Sequence, residues 1–411
     1  MANKQFHPGK ISVDSVNIIS TTKTADITDL FVEFALSSSI IDPTAIGELL
    51  VTDSVNLISK FPIEPGNQIQ IKISYFDIQK TFLMYVFKID RISTDEKQRF
   101  YVLNLISKFA YDSYFKDVQG AISGTTSEMA KGVFLENTDE KINVWEESSG
   151  KQKLVIPKWD PLYTVQWLAG RSVWPNDNVR FRFFQDSNLR YNFMPIEAAN
   201  NIYEQPIFNY SYNMNTATTG PQQMPNSQAV MQAVKRMDYD PSHNIRNFVE
   251  SGAMGGVRYA PNIIQKSYNP IAINYHENFS KERYLNNHPL IKRSEYVNAG
   301  NPLNQYDINT SLQHEDVKGL NKVSDSSNIR KTNIDNMQNI QITVVGNQVV
   351  DIGQVVMFNM SSPEPKSQAQ TDIRDMRFSG KYYVTSKKDI FKLDTHEMAL
   401  GLSKDSLMEI L

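Results

Sequence analysis

Histidine stands beside carboxylate three times in this sequence, at His276-Glu277, His314-Glu315-Asp316 and His396-Glu397. Imidazole with carboxylate is the donor set of many metal sites and also serves general acid–base chemistry. A metal site needs several such groups to converge. The six histidines (His7, His243, His276, His288, His314 and His396) include no pair at the i, i+4 spacing of a helical zinc motif. His396 alternates with Met398 and Leu400, so its expected place is the wall of a β-structure.

Other chemistry-bearing residues fare no better. Asp139-Glu140 and Glu146-Glu147 are carboxylate pairs, but a retaining glycosidase needs two carboxyls about 5 Å apart across a sugar. Adjacent residues do not supply that, and solvated loops are the expectation. Gly252-Ala253-Met254-Gly255-Gly256 lacks the Gly-Lys-Ser/Thr ending of a phosphate loop and reads as a flexible loop. There is no Gly-x-Ser-x-Gly elbow, and no Cys for a disulfide, thiolate ligand or nucleophile. Trp145, Trp159, Trp167 and Trp174 lie close together and are expected to fill a core, with a partner- or sugar-binding face as the competing reading. The sequence therefore assigns no catalytic, cofactor-binding or metal residue and no partner-binding residue. The expectation is a protein without enzymatic activity or cofactor.

The 411 residues suit several compact domains, and 40% hydrophobic with 21% charged residues suits a globular chain. The 42 Lys+Arg against 45 Asp+Glu give a net charge of −3, which lacks the basic excess of a nucleic-acid grip. The start, MANKQFHPGK, has no apolar stretch, and no run reaches the ~18 apolar residues of a membrane span. Assembly in the host cytoplasm without a membrane span is expected.

The elements that would position any site are mostly strands. Gln68 to Ile73 alternates polar and apolar residues after a Pro65-Gly66-Asn67 turn. Thr81 to Ile89 and Phe100 to Ile106 follow, joined by a polar link, and Phe31 to Leu36 and Glu48 to Thr52 precede them. Two helices are expected next: one behind the capping box Thr125-x-x-Glu128, one behind Asp160-Pro161. Arg180 to Phe184 and Leu189 to Met194 read as a hairpin around Gln185 to Asn188. Ile207 to Met214 returns to strand alternation. A long polar stretch then reads as an extended, partly irregular arm. Strands resume at Ile340, with Gln354 to Met360, Lys381 to Ser386 and His396 to Leu402.

The two ends match in order. Pro65 to Ile71 parallels Asp351 to Met357, and Leu83 to Asp90 parallels Gly380 to Lys387. Phe100 to Lys108 parallels His396 to Lys404, both ending in Ser-Lys. Such a repeat predicts two similar antiparallel units in one chain.

With FYVLNLISKF closing the first unit, DPLYTVQWLAGRSVWP in the middle, and SGKYYVTSKKDIFKLDTHEMALGLSKDSL at the end, the chain resembles the central baseplate hub proteins of contractile-tailed bacteriophages. It is also similar to the hub half of type VI secretion spike proteins. The resemblance implies a mainly β fold with α+β insertions and two tail-tube-like antiparallel β-barrels. The corresponding division is 1–118 for the first barrel, 119–202 for a small α+β module, 203–240 with 331–411 for the second barrel, and 241–330 for an inserted polar arm or small domain. It implies a structural homotrimer whose barrels form a pseudo-sixfold ring between the sixfold tail tube and the threefold central spike of a virion. Its partners would be the central spike and tail tube proteins, with the tape-measure and baseplate wedge proteins as further candidates. DNA would pass through the channel without specific binding. Residues 1–120 carry 12 basic and 14 acidic residues and residues 331–411 carry 9 and 10, so neither end would hold phosphates by counterion release. The alternative is a β-rich receptor- or glycan-binding tail protein.

Overall fold

The computed structural model describes residues 7–54, 57, 61, 63–75, 78–94, 99–172, 181–196, 205–212, 227–239, 255–262, 267–280, 284–290, 303–305, 339–362 and 374–409. The chain is mainly β, with large antiparallel sheets. In the first 106 residues lie β1 (Ile11–Ile19), β2 (Thr24–Asp26), β3 (Phe31–Ser39), β4 (Ile46–Asp53), β5 (Gln68–Tyr75), β6 (Ile78–Thr94) and β7 (Arg99–Ile106). The alternation of β5 is realised side chain by side chain: Ile69, Ile71 and Ile73 are fully buried. They join Phe34, Leu49, Phe82, Leu103 and Leu105 in one apolar core. β6 is far longer than its apolar segment Thr81 to Ile89, because its polar ends still pair with β5 and β7.

The middle of the chain forms α1 (Lys108–Ser113), β8 (Val118–Gly124), α2 (Thr126–Asn137), β9 (Ile142–Val144), β10 (Gln152–Trp159), α3 (Pro161–Gly170), β11 (Phe181–Gln185) and β12 (Tyr191–Pro195). The Thr125 side chain accepts from the Glu128 amide while the Glu128 carboxylate accepts from the Thr125 amide, so the capping box starts α2 as its sequence predicts. Asp160 caps α3 by accepting from the Tyr163 amide, with Pro161 in the first turn. The core of this part corrects the tryptophan expectation. It is built from Phe109, Phe134, Phe181, Phe183, Tyr191 and Phe193. Trp145 is 40% exposed, whereas Trp159 and Trp167 pack on each other at the margin with ring centroids 5.1 Å apart. Trp145 instead turns its indole N–H to Asn192 Oδ1 at 3.0 Å and Trp167 flanks the core, whose interior rings meet edge to face. Trp174 lies outside the described residues.

Beyond it come β13 (Asn209–Tyr212), α4 (Ser227–Gln232), β14 (Val234–Tyr239), β15 (Gly255–Asn262), β16 (Ser267–Asn274), α5 (Tyr275–Asn278), β17 (His288–Pro289), β18 (Leu303–Gln305), β19 (Asn339–Val345), β20 (Val355–Met360), β21 (Gly380–Phe391), β22 (His396–Ser403) and β23 (Ser406–Leu407). The stretch expected to be an irregular arm contains a three-stranded sheet, β16-β15-β18. Gly255 and Gly256 open β15 rather than a loop, because they pair with Asn274 and Ile273. A second apolar core gathers Tyr210, Ile342, Val356, Phe358, Tyr382, Leu400 and Leu402.

A thirteen-stranded sheet joins both ends of the chain in the order β14-β19-β22-β21-β3-β4-β7-β6-β5-β1-β2, with β20 on β21 and β13 on β20. Its two halves repeat one pairing scheme. β3-β4-β7-β6-β5 in the first corresponds to β14-β19-β22-β21-β20 in the second. Bulges recur at the same places. β3 skips a residue against β4 between Phe31 and Glu33, as β14 does against β19 between Val234 and Arg236. β6 skips against β7 between Val86 and Lys88, as β21 does against β22 between Val384 and Ser386. A bulge is a positional feature, so its recurrence at equivalent places marks a genuine repeat. The true register is one residue from the sequence match: Gln68 corresponds to Val355, not Gln354, because they stand opposite Tyr85 and Tyr383, which each precede the bulge against β7 and β22 by the same step. The halves differ at one margin, where β1 runs antiparallel to β5 but β13 runs parallel to β20.

Candidate functional site

The two halves meet where β3 pairs with the C-terminal part of β21, Phe34 opposite Phe391 through Ser39 opposite Ser386. β21 reaches this position because β20 covers only its first residues, Gly380 to Tyr383, leaving the rest of that edge to β3. Phe34, Phe82, Phe391 and His396 stack beneath the joint, with Phe391 4.4 Å from the His396 ring. On the outer face Lys388 pairs with Glu48 at 3.2 Å and Lys392 with Glu33 at 3.9 Å. These pairs are largely solvated and add little stability, but they fix which edges meet.

A buried ionic junction lies behind this joint. Lys387 Nζ is 3.2 Å from Asp389 Oδ2, both side chains almost wholly buried. The same ammonium donates to Ser187 Oγ at 3.0 Å and to the Val350 carbonyl at 2.9 Å. Ser187 in turn donates its hydroxyl and amide to Asp351, and Asn188 donates a further bond. Lys80 Nζ reaches the Ser187 carbonyl at 2.8 Å. Ser187 sits on the β11–β12 turn, so one serine ties the α+β part to both halves of the large sheet. Burial works against charge on Lys387, but Asp389, Asp351 and Asp186 outweigh it and hold its pKa above the ordinary value. Burial also disfavours ionised Asp389, yet Lys387 and the hydrogen bond from His396 keep its pKa low. Burial pulls Lys80 down to about 8, partly offset by Asp389.

The sequence-level candidates separate. His396 is buried and bonds Asp389 through Nε2 at 2.8 Å, a wall position as its alternation predicts. His276 and Glu277 sit in the single turn α5, and His314-Glu315-Asp316 lies outside the described residues. Asp139 faces solvent near Lys108, whereas Glu140 turns inward and burial lifts its pKa to about 7. Glu147 is exposed and Glu146 half-buried. Among the described residues no three His, Asp or Glu groups converge as metal ligands, and no described helix is long and apolar enough to cross a membrane. The junction itself escaped the sequence reading. Lys387 and Asp389 lie two apart in a strand, and only the same-face spacing of opposite charges hints at them.

This geometry defines the class of fold: a mainly β chain with an internally repeated sheet and an α+β insertion between the repeats. The same fold is found in two tail proteins of known structure. The chain superposes on the 43 kDa tail protein of prophage MuSo2 from Shewanella oneidensis with a TM-score of 0.54 at 12% identity, covering 97% of this chain and 100% of that one. On the tail protein from Neisseria meningitidis MC58 the TM-score is 0.51 at 10% identity, with 96% of each chain covered. A component of the E. coli type VI secretion system, described as structurally similar to T4 bacteriophage tail proteins, aligns with a TM-score of 0.41 at 8% identity over 96% of this chain and 76% of that one. No protein-family profile matches the sequence, and no curated protein matches it either.

Proposed function

We propose that this chain is a structural hub of a phage-type tail baseplate, a homotrimer without enzymatic activity. Each chain contributes two tube-like barrels, 1–118 and 203–240 with 331–411, which carry the module 119–202 and the insertion 241–330. Three chains then form a pseudo-sixfold ring that adapts the sixfold tail tube to the threefold central spike and leaves a channel for DNA. The observation that carries this reading is the repeated pairing scheme with its matching bulges. Equivalent interfaces need equivalent surfaces, and a duplicated unit supplies six from three chains. The likeness in fold to tail proteins supports the same setting.

The mechanism is mechanical. Intrachain pairing of β3 with β21 makes half of the joints covalently linked pairs, so the ring begins from stiff double units. The buried junction at Ser187 and Lys387 braces each unit against shear, because separating the parts would strand ions in apolar surroundings. Electron microscopy of the purified protein tests the proposal. The expected particle is a ring with threefold symmetry, six lobes and a central hole. Isolated single-chain particles at every concentration, with and without the spike protein, would overturn it.

A further inference from the structure

The internal repeat leaves two strand edges whose counterparts are already paired with each other inside the chain. β3 and the end of β21 form the intrachain joint. In the second half the counterpart of β3 is β14, with Phe34 matching Met237 by their places opposite Leu49 and Ile342. In the first half the counterpart of the end of β21 is the end of β6. β5 covers β6 only up to Tyr85, and the Gly66–Asn67 turn reaches Val86. Among the described residues no strand pairs with that edge of β6 beyond Val86, and none pairs with the edge of β14 away from β19. β13 lies beside the start of β14 and is bridged to it at Ala233, just before β14 begins, but no ladder joins the two strands.

We infer that β14 of one copy pairs antiparallel with the end of β6, Asp90 to Thr94, of a second copy. This inference rests on the ring reading above and specifies its joint between chains. The register follows from the intrachain joint. β6 carries one bulge that β21 lacks, between Asp90 and Ser93. Counting through the β7 partners, Thr94 takes the place of Phe391 and Ser93 that of Ile390. Met237 therefore stands opposite Thr94, and Asp238 opposite Ser93. The contact is head-to-tail, so it closes into a ring when the rotation per chain divides a full turn.

Charge argues for this occupant over a like edge. At the intrachain joint the β3 side is acidic, with Glu33 and Glu48, and the β21 side is basic, with Lys388 and Lys392. At the second joint one sign is exchanged on each edge, while Gln341 stands where Glu48 stands, and Arg236 and Asp90 also pair with Asp238 and Lys88 in their own strands. Arg236 stands where Glu33 stands in the repeat, and Asp90 stands where Lys388 stands. Pairing β14 with a second copy's β21 would bring Arg236 toward lysines. The exchange therefore rejects the wrong edge while accepting β6. Unpaired edges attract other strands, and mixed charge on both edges keeps them from indiscriminate association.

Because the chain has no cysteine, engineered thiols report this joint without background. The variant Met237→Cys with Thr94→Cys is oxidised mildly or treated with a short bis-thiol reagent, since facing residues place Cβ atoms ~4.5–5.5 Å apart. The expected result is a ladder of covalent dimer and trimer that ends at three, absent from each single variant. Asp238→Cys with Ser93→Cys gives a second, independent pair should the first disturb folding. A protein that keeps trimeric mass yet forms no link with either pair overturns the edge pairing and leaves the ring. A protein of single-chain mass that forms no link overturns both.

Discussion

Phe34 and Phe391 stack across the joint between the two halves of the sheet, ring centroids 5.8 Å apart and planes within 14°. They face each other in the strand register as well, so side-chain and backbone pairing coincide. Phe391 also meets Phe82 and His396. Phe391→Ala removes all three contacts and is expected to cost about 3–5 kcal/mol by urea denaturation. Lys388→Ala, which removes an exposed ion pair at the same joint, is expected to cost less than about 1 kcal/mol. Equal losses would mean the aromatic stack does not hold the joint.

The Gly353 amide donates to the Val384 carbonyl at 2.8 Å, as the Gly66 amide donates to Val86 at 2.8 Å. Both glycines have positive φ, +78° and +96°. At Gly353 a Cβ would also come within 3.0 Å of Phe184 Cζ. Gly353→Ala is expected to destabilise by about 1–3 kcal/mol from the left-handed backbone and the crowding together. A thermal melt unchanged from the parent would show that this turn carries no strain.

Lys387 and Asp389 are expected to behave as a unit. Asp389→Leu leaves the Lys387 ammonium buried without its main counter-charge and should cost about 3–5 kcal/mol. Adding Lys387→Met should recover part of that loss, because the stranded ammonium is removed while Asp351 and Asp186 lose its charge and His396 stays without Asp389. A double-mutant cycle by chemical denaturation checks this, and additive losses would contradict it.

Glu140 gives the α+β part a defined pH response. Burial raises its pKa from 4.5 to about 7, against the pull of Lys108 and the Phe109 amide. Between these values the folded chain keeps a proton that the unfolded chain has released. Its contribution to stability is therefore present below about 4.5 and is lost as pH rises through about 7. Glu140→Gln should remove this part of the pH dependence, read as the difference in urea midpoint between pH 5 and pH 8. An unaltered difference would place the titration elsewhere.

Local chemistry was legible in the sequence and distant pairing was not. Thr125-Glu128 and Asp160-Pro161 start helices because caps act within one turn. Gln68 to Ile73 declares a strand because one face is buried. By contrast, Val234 to Tyr239 carries three charged residues of six and no sustained alternation, so β14 is set by its pairing with β19. The sequence match of the repeats runs one residue off the strand pairing, which only the partner strands define. The buried junction joins Lys80, Ser187, Asp351 and Lys387 across the chain, and no local pattern brings them together. The four tryptophans of the middle part were visible as a cluster, and the phenylalanines that build its core were not. That phenyl rings fill the core and the indoles flank it is set by tertiary packing and by partners such as Asn192 for Trp145.

The most direct test of the ring is the native mass of the purified chain, alone and mixed with its cognate spike protein. The account predicts three times 47.0 kDa, or a complex with three copies of each protein. A chain that stays at 47.0 kDa and ignores the spike would contradict it and turn attention to the receptor-binding alternative.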